Sequence, residues 1–150
     1  MRKRISLLVL LGIIVLAVSL TLTWLLWLRW VPLTKVFSVP EAPAEVSGIG
    51  VELDTGDQSQ SWTIDAPDQI REICASLRSA QLCLDKTGVA MDFDVTRGEY
   101  LLILYIAVPD SQPVRIYLKE DGTVYNGSSR YRSQGDIIPA LYRSILKTPI

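Results

Sequence analysis

The stretch EYLLILYIAV, Glu99 to Val108, decides the fold. Ten residues are too few to cross a hydrocarbon core as a helix, which takes about 20. Tyrosine and isoleucine fill a pleated surface well, so an apolar run of this length predicts a central strand buried on much of both faces. The residues that follow place the strand in a meander. PDSQP turns the chain, and VRIYLK then sets Val114, Ile116 and Leu118 against Arg115, Tyr117 and Lys119, the period of a half-buried strand. EDGT carries Asp121-Gly122, a strong short-range signal for a hairpin. VYNGSSRYR reads as a short strand and a loop.

Upstream, GIGVELD alternates Ile49, Val51 and Leu53, and SWTID places Trp62 and Ile64 inward. The polar, Gly-containing DTGDQSQ between them completes a second hairpin. APDQIREICASLRSAQ predicts a helix with Asp65 as N-cap and Pro67 near its first turn. Its Ile70, Ile73, Cys74 and Leu77 form one apolar stripe. GDIIPALYRSILK predicts a second helix, capped by Asp136 and striped by Ile138, Leu141, Tyr142 and Ile145. LCLDKTGVAMDFDVTRG shows no sustained period and is expected to be a long connection with a short strand near Met91 to Val95. The order is β-β-α-(β)-β-β-β-α. It predicts an α+β domain: an antiparallel sheet with two helices packed on one face.

The N-terminal segment follows different rules. Ile5 to Leu28 is 24 residues without a charge, long enough to span a bilayer as a helix with some tilt. The hydroxyls of Ser19, Thr21 and Thr23 can bond back to helix carbonyls, so lipid accepts them. Arg2, Lys3 and Arg4 predict a cytoplasmic N-terminus. Trp24, Trp27 and Trp30 mark the opposite interface, where Arg29 can snorkel. The apolar run continues nine residues past Ala17-Val18-Ser19, which favours an uncleaved signal-anchor over a signal peptide. The expected organisation is a cytoplasmic tail 1–4, a single-pass anchor 5–30, a stalk 31–46 stiffened by Pro32, Pro40 and Pro43, and an extracytoplasmic domain 47–150. All 16 acidic residues follow Trp30, against 11 of the 15 basic ones, so the exported part carries about −5. That balance argues against nucleic acid as a partner.

Asp54-Thr55-Gly56 spells the catalytic turn of aspartic proteases, in which two carboxylates share a proton. Glu52 before it and Asp57 after it do not suit that turn, and Asp and Gly are what any tight turn favours. A hairpin is the expected reading. The chain has no histidine, which removes the commonest general base and metal ligand. Two cysteines without histidine cannot complete a zinc site. Cys74 and Cys83, nine apart, either form a disulfide outside the cytoplasm or remain buried thiols. Asp92-Phe93-Asp94 lacks the spacing of a calcium loop, and Asn126-Gly127-Ser128 matches a glycosylation sequon that also spells a loop. No cofactor is implied. Tyr125, Arg130, Tyr131 and Arg132 form a cation and aromatic group of the kind enriched at interface centres.

PDQIREICASL after a strand, then YLLILYIA, VRIYLKEDGTVY, RYR and the last helix together resemble small exported domains of Gram-positive bacteria, the YhfM-like type. The similarity spans Ser47 to Lys147. It implies a domain tethered outside the membrane and brings no catalytic residues with it. The expected function is a non-catalytic envelope module that binds another envelope protein, a peptide or a wall polymer. The alternatives are a hydrolase or accessory subunit working through Asp54, Asp57, Asp92 or Asp94, and a membrane-complex subunit acting through its helix.

Overall fold

The computed structural model describes residues 2–27, 29–40, 42–85, 100–127 and 129–147. It divides after Trp30 into two compact units. In the first, α1 (Arg2–Trp27) contains one stretch, Leu8–Leu26, long and apolar enough to cross a membrane, and none of it is buried against protein. Its hydroxyls turn back on the helix. Ser19 donates to the Leu16 carbonyl at 2.9 Å, Thr23 to Ser19 at 2.8 Å, and Thr21 to Ala17. No hydroxyl hydrogen is therefore left without an acceptor at these three positions.

The second unit is α+β. Its strands are β1 (Trp30–Pro32), β2 (Gly48–Asp54), β3 (Ser59–Ile64), β4 (Gln81–Leu84), β5 (Leu101–Ala107), β6 (Val114–Lys119), β7 (Thr123–Asn126) and β8 (Ser129–Ser133). They form one open antiparallel sheet in the order β1-β4-β8-β7-β6-β5-β2-β3. The helices are α2 (Leu33–Val36), α3 (Pro67–Ser79) and α4 (Ile137–Leu146), with a 3-10 turn at Pro43–Glu45.

The register explains the core. Val51 opposes Leu104, Leu104 opposes Ile116, and Leu102 opposes Leu118, which opposes Val124. With period-two alternation these side chains share one face. All are at most 1 % exposed, and they join Ile70, Ile73, Cys74 and Leu77 of α3 and Ile138, Leu141, Tyr142 and Ile145 of α4 in a single core. Both apolar stripes expected of the helices are thus the buried stripes. Burial pushes the Tyr142 hydroxyl up to about 12, with Glu120 and Tyr100 adding to the shift.

The expected stalk is different in the structure. Leu33, Phe37, Val39 and Val46 are buried and belong to the core. The Leu33 N–H donates to the Ala80 carbonyl at 3.0 Å, and Asn126 Nδ2 donates to the Val36 carbonyl at 2.9 Å. Proline does keep the stretch extended, but four apolar side chains give it enough surface to bury, and it wraps onto the domain. The caps differ too. Ala66, not Asp65, precedes the first turn of α3, whose N1 Pro67 has no N–H to satisfy. Asp136 does precede α4, but its carboxylate accepts from Arg143 Nη2 at 2.9 and 3.1 Å instead of capping.

Two strands fall where a loop or irregular chain was expected. Ser129–Ser133 returns on β7 as β8, and Gln81–Leu84 pairs with β8 as β4. The expected short strand near Met91 to Val95 lies outside the described residues, as do Asp92 and Asp94.

Candidate interaction surface

Asp54-Thr55-Gly56 closes the β2–β3 hairpin. Glycine is required there because Gly56 adopts φ 81°. The Asp54 carboxylate accepts from the Gly56 N–H at 2.8 Å, and both the N–H and the hydroxyl of Thr55 donate to the Gln58 carbonyl at 2.9 Å. The carboxylate is engaged by its own turn.

The sheet face opposite the core carries a row of polar and aromatic groups. Tyr117 opposes Tyr125, which opposes Arg130, and Tyr105 opposes Arg115. The Arg115 guanidinium lies 5.6 Å from the Tyr105 ring centre. That ring crosses Gly50, where an added Cβ would come within 3.3 Å of Tyr105 Cβ. The Tyr105 hydroxyl then donates to Glu52 Oε2 at 2.8 Å, and Ser59 donates to Glu52 Oε1 at 2.8 Å. These two bonds hold the Glu52 carboxyl below its ordinary range, and the same Glu52 contact pushes the Tyr105 hydroxyl up.

The group Tyr125, Arg130, Tyr131 and Arg132 is divided by this alternation. Tyr125, Arg130 and Arg132 lie on the outer face, whereas Tyr131 opposes Val124 and packs against the core. The two arginines straddle Asp85, with Nε–Oδ2 distances of 3.7 Å for Arg130 and 3.5 Å for Arg132. Asp85 is only 9 % exposed, and its N–H donates to the Arg130 carbonyl at 2.9 Å. Both cations therefore fasten the end of β4 to β8, a structural task for side chains that the sequence offers as contacts.

Cys74 and Cys83 are free thiols. Cys74 sits in the core, and burial pushes its thiol up, partly offset by Arg78. Cys83 opposes Arg132 on the outer-face register, so the sheet separates the two sulfurs. Trp24 is 61 % exposed, Arg29 is exposed and Trp30 is half-buried; nothing is described of the Trp27 side chain.

Concavities are modest. A cleft of about 340 Å³ runs between α3 and α4, lined by Glu72, Ser76, Ser79, Ala140 and Ser144. No two carboxylates converge there.

The two sheet edges were not visible in the sequence as edges. At one end stands β1, three residues long and ending in Pro32. At the other stands β3, six residues long, with β2 as its one neighbour among the described residues. Ser59, Gln60, Ser61 and Thr63 are exposed, and the strand contains no charge and no proline. Lysine, proline, bulges and short length are the usual protections of an edge, and β3 has none within it. Comparison with family models, with curated proteins and with solved structures finds no match to this chain.

Proposed function

We propose that the protein is a membrane-anchored, extracytoplasmic interaction module without catalytic activity. The α1 helix holds it in the bilayer with the basic N-terminus inside, and the α+β domain, its helices covering one sheet face, meets a partner outside. The helix supports anchoring by its length and composition, and Arg2, Lys3 and Arg4 support the orientation. One observation carries the binding reading: the unprotected β3 edge, a row of backbone donors and acceptors that a monomeric domain ordinarily hides.

The test is crosslinking of the full-length protein in its own cells with a reagent that cannot enter the membrane. The expected result is a discrete adduct that disappears when residues 31–150 are replaced by an unrelated domain. An adduct that survives the replacement would assign the contact to the transmembrane helix and overturn the module reading.

A further inference from the structure

The β3 edge has a definite chemical character. Between Lys35 and Arg71 the sequence contains seven acidic residues and no lysine or arginine. Four of them surround the edge. Asp57 lies in the turn before β3 and Asp65 directly after it, both exposed, while Asp54 and Glu52 oppose Ser59 and Ser61 from β2. The strand is neutral within an acidic frame.

Its backbone polarity follows from the turn. Thr55 N–H donates to the Gln58 carbonyl, which fixes that pair as a hydrogen-bonded one. Alternation along an antiparallel ladder then directs the main-chain groups of Gln60, Trp62 and Ile64 towards β2 and those of Ser59, Ser61 and Thr63 away from it. Side chains alternate in the opposite sense. Ser59, Ser61 and Thr63 present hydroxyls on the outer face, and Trp62 and Ile64 lean on the core.

Building on the module reading, we infer that β3 captures an extended peptide segment of a partner protein by strand addition, and that the segment alternates apolar and polar residues and has basic residues at its ends. The apolar positions continue the Trp62–Ile64 side of the sheet, and the polar ones lie beside the serine and threonine hydroxyls. Lysine or arginine ends meet Asp57 and Asp65. Main-chain bonding supplies adhesion and the side chains supply selection. A second copy of this strand is a poor occupant, because antiparallel self-pairing brings Asp57 of one copy towards Asp65 of the other. The opposite edge does not compete, since β1 is short and ends in proline.

The experiment uses the full chain in lipid nanodiscs and the synthetic peptide KTVTVTVTK, with ETVTVTVTE as its charge-reversed control. Amide hydrogen exchange at Ser61 and Thr63 is followed with and without peptide. The expected result is slowing by at least ~10-fold with KTVTVTVTK at saturation, little change with ETVTVTVTE, and loss of the effect at Thr63 in Ser61→Pro, whose residue 61 carries no amide hydrogen. Asp57→Lys gives a second variant that leaves the backbone N–H groups of β3 in place and sets a like charge against one incoming lysine. It should weaken binding by about tenfold without lowering the melting temperature. Unchanged exchange at Ser61 and Thr63, or equal binding of both peptides, would overturn the inference. An outside adduct that persists in Ser61→Pro would leave the module reading standing and move its contact away from β3.

Discussion

The two ends of the sheet are built differently. The β2–β3 end is a local hairpin whose strands are joined by four residues, and it lies within a stretch of seven acidic and no basic residues. The β1–β4–β8 end is assembled from three distant parts of the chain, and β8 brings Arg130 and Arg132 to it. At the basic end the charges are spent internally, with Arg130 and Arg132 on Asp85 and Arg143 on Asp136. At the acidic end the edge is neutral, exposed and, among the described residues, unpaired on its outer side. The end with the more conspicuous interaction residues is the end that uses them to hold itself together, and the plainer end is the one left open.

The largest test of this contrast is Leu33→Ala. Leu33 is 0 % exposed, so truncation should cost about 2–5 kcal/mol in the unfolding free energy measured by urea denaturation. A stalk residue would cost almost nothing, and a change under about 0.5 kcal/mol would return residues 31–46 to that role.

What the sequence revealed follows the same division. Alternation made β2, β3 and β6 legible, an unbroken apolar run made β5 legible, and the 3.6-residue stripe made α3 and α4 legible, because those signals are local. The pairing of Gln81–Leu84 with Ser129–Ser133 spans nearly 50 positions and leaves no local mark. The β7–β8 turn did leave one: Asn126 pairs with Ser129, so Gly127-Ser128, with Gly127 at φ 56°, is the hairpin dipeptide inside what also reads as a sequon. The interaction group was legible only as composition. Recognising RYR as strand rather than loop would have put Tyr131 on the face opposite its arginines. An edge is a property of sheet order, and order was not encoded in any single motif.

The next test separates those neighbours. Tyr131→Ala should destabilise the domain by about 2–3 kcal/mol, since Tyr131 packs against the core. Arg132→Ala, at 70 % side-chain exposure, should cost less than about 1 kcal/mol. Equal effects would mean that the alternation of β8 is not as described.

Glycine replacements give a smaller contrast within one end. Gly122 has φ 85°, and an added Cβ would lie 2.6 Å from the Ser133 hydroxyl and 3.4 Å from Pro139. Gly127 has φ 56° with open space around it. Gly127→Ala should cost about 1–2 kcal/mol from the left-handed backbone alone, and Gly122→Ala should cost more. Thermal melts of the two variants decide the order.

Acid titration probes the other end. Glu52 has a folded-state pKa below its ordinary 4.5, so its contribution is complete above 4.5 and is lost as pH falls through the lower folded value. Glu52→Gln should flatten the stability profile in that acid window and leave it unchanged near neutrality relative to the variant's own plateau. An unaltered slope would show that the Tyr105 and Ser59 hydrogen bonds do not favour the carboxylate.

The central claim is that contact is made at the β3 edge and not at the basic end. A photoreactive amino acid placed at Ser61, and in a separate variant at Arg132, compares the two ends directly in the native membrane. The account predicts a partner adduct from the Ser61 position, competed away by KTVTVTVTK, and none from Arg132. An adduct from Arg132 with none from Ser61 would contradict it.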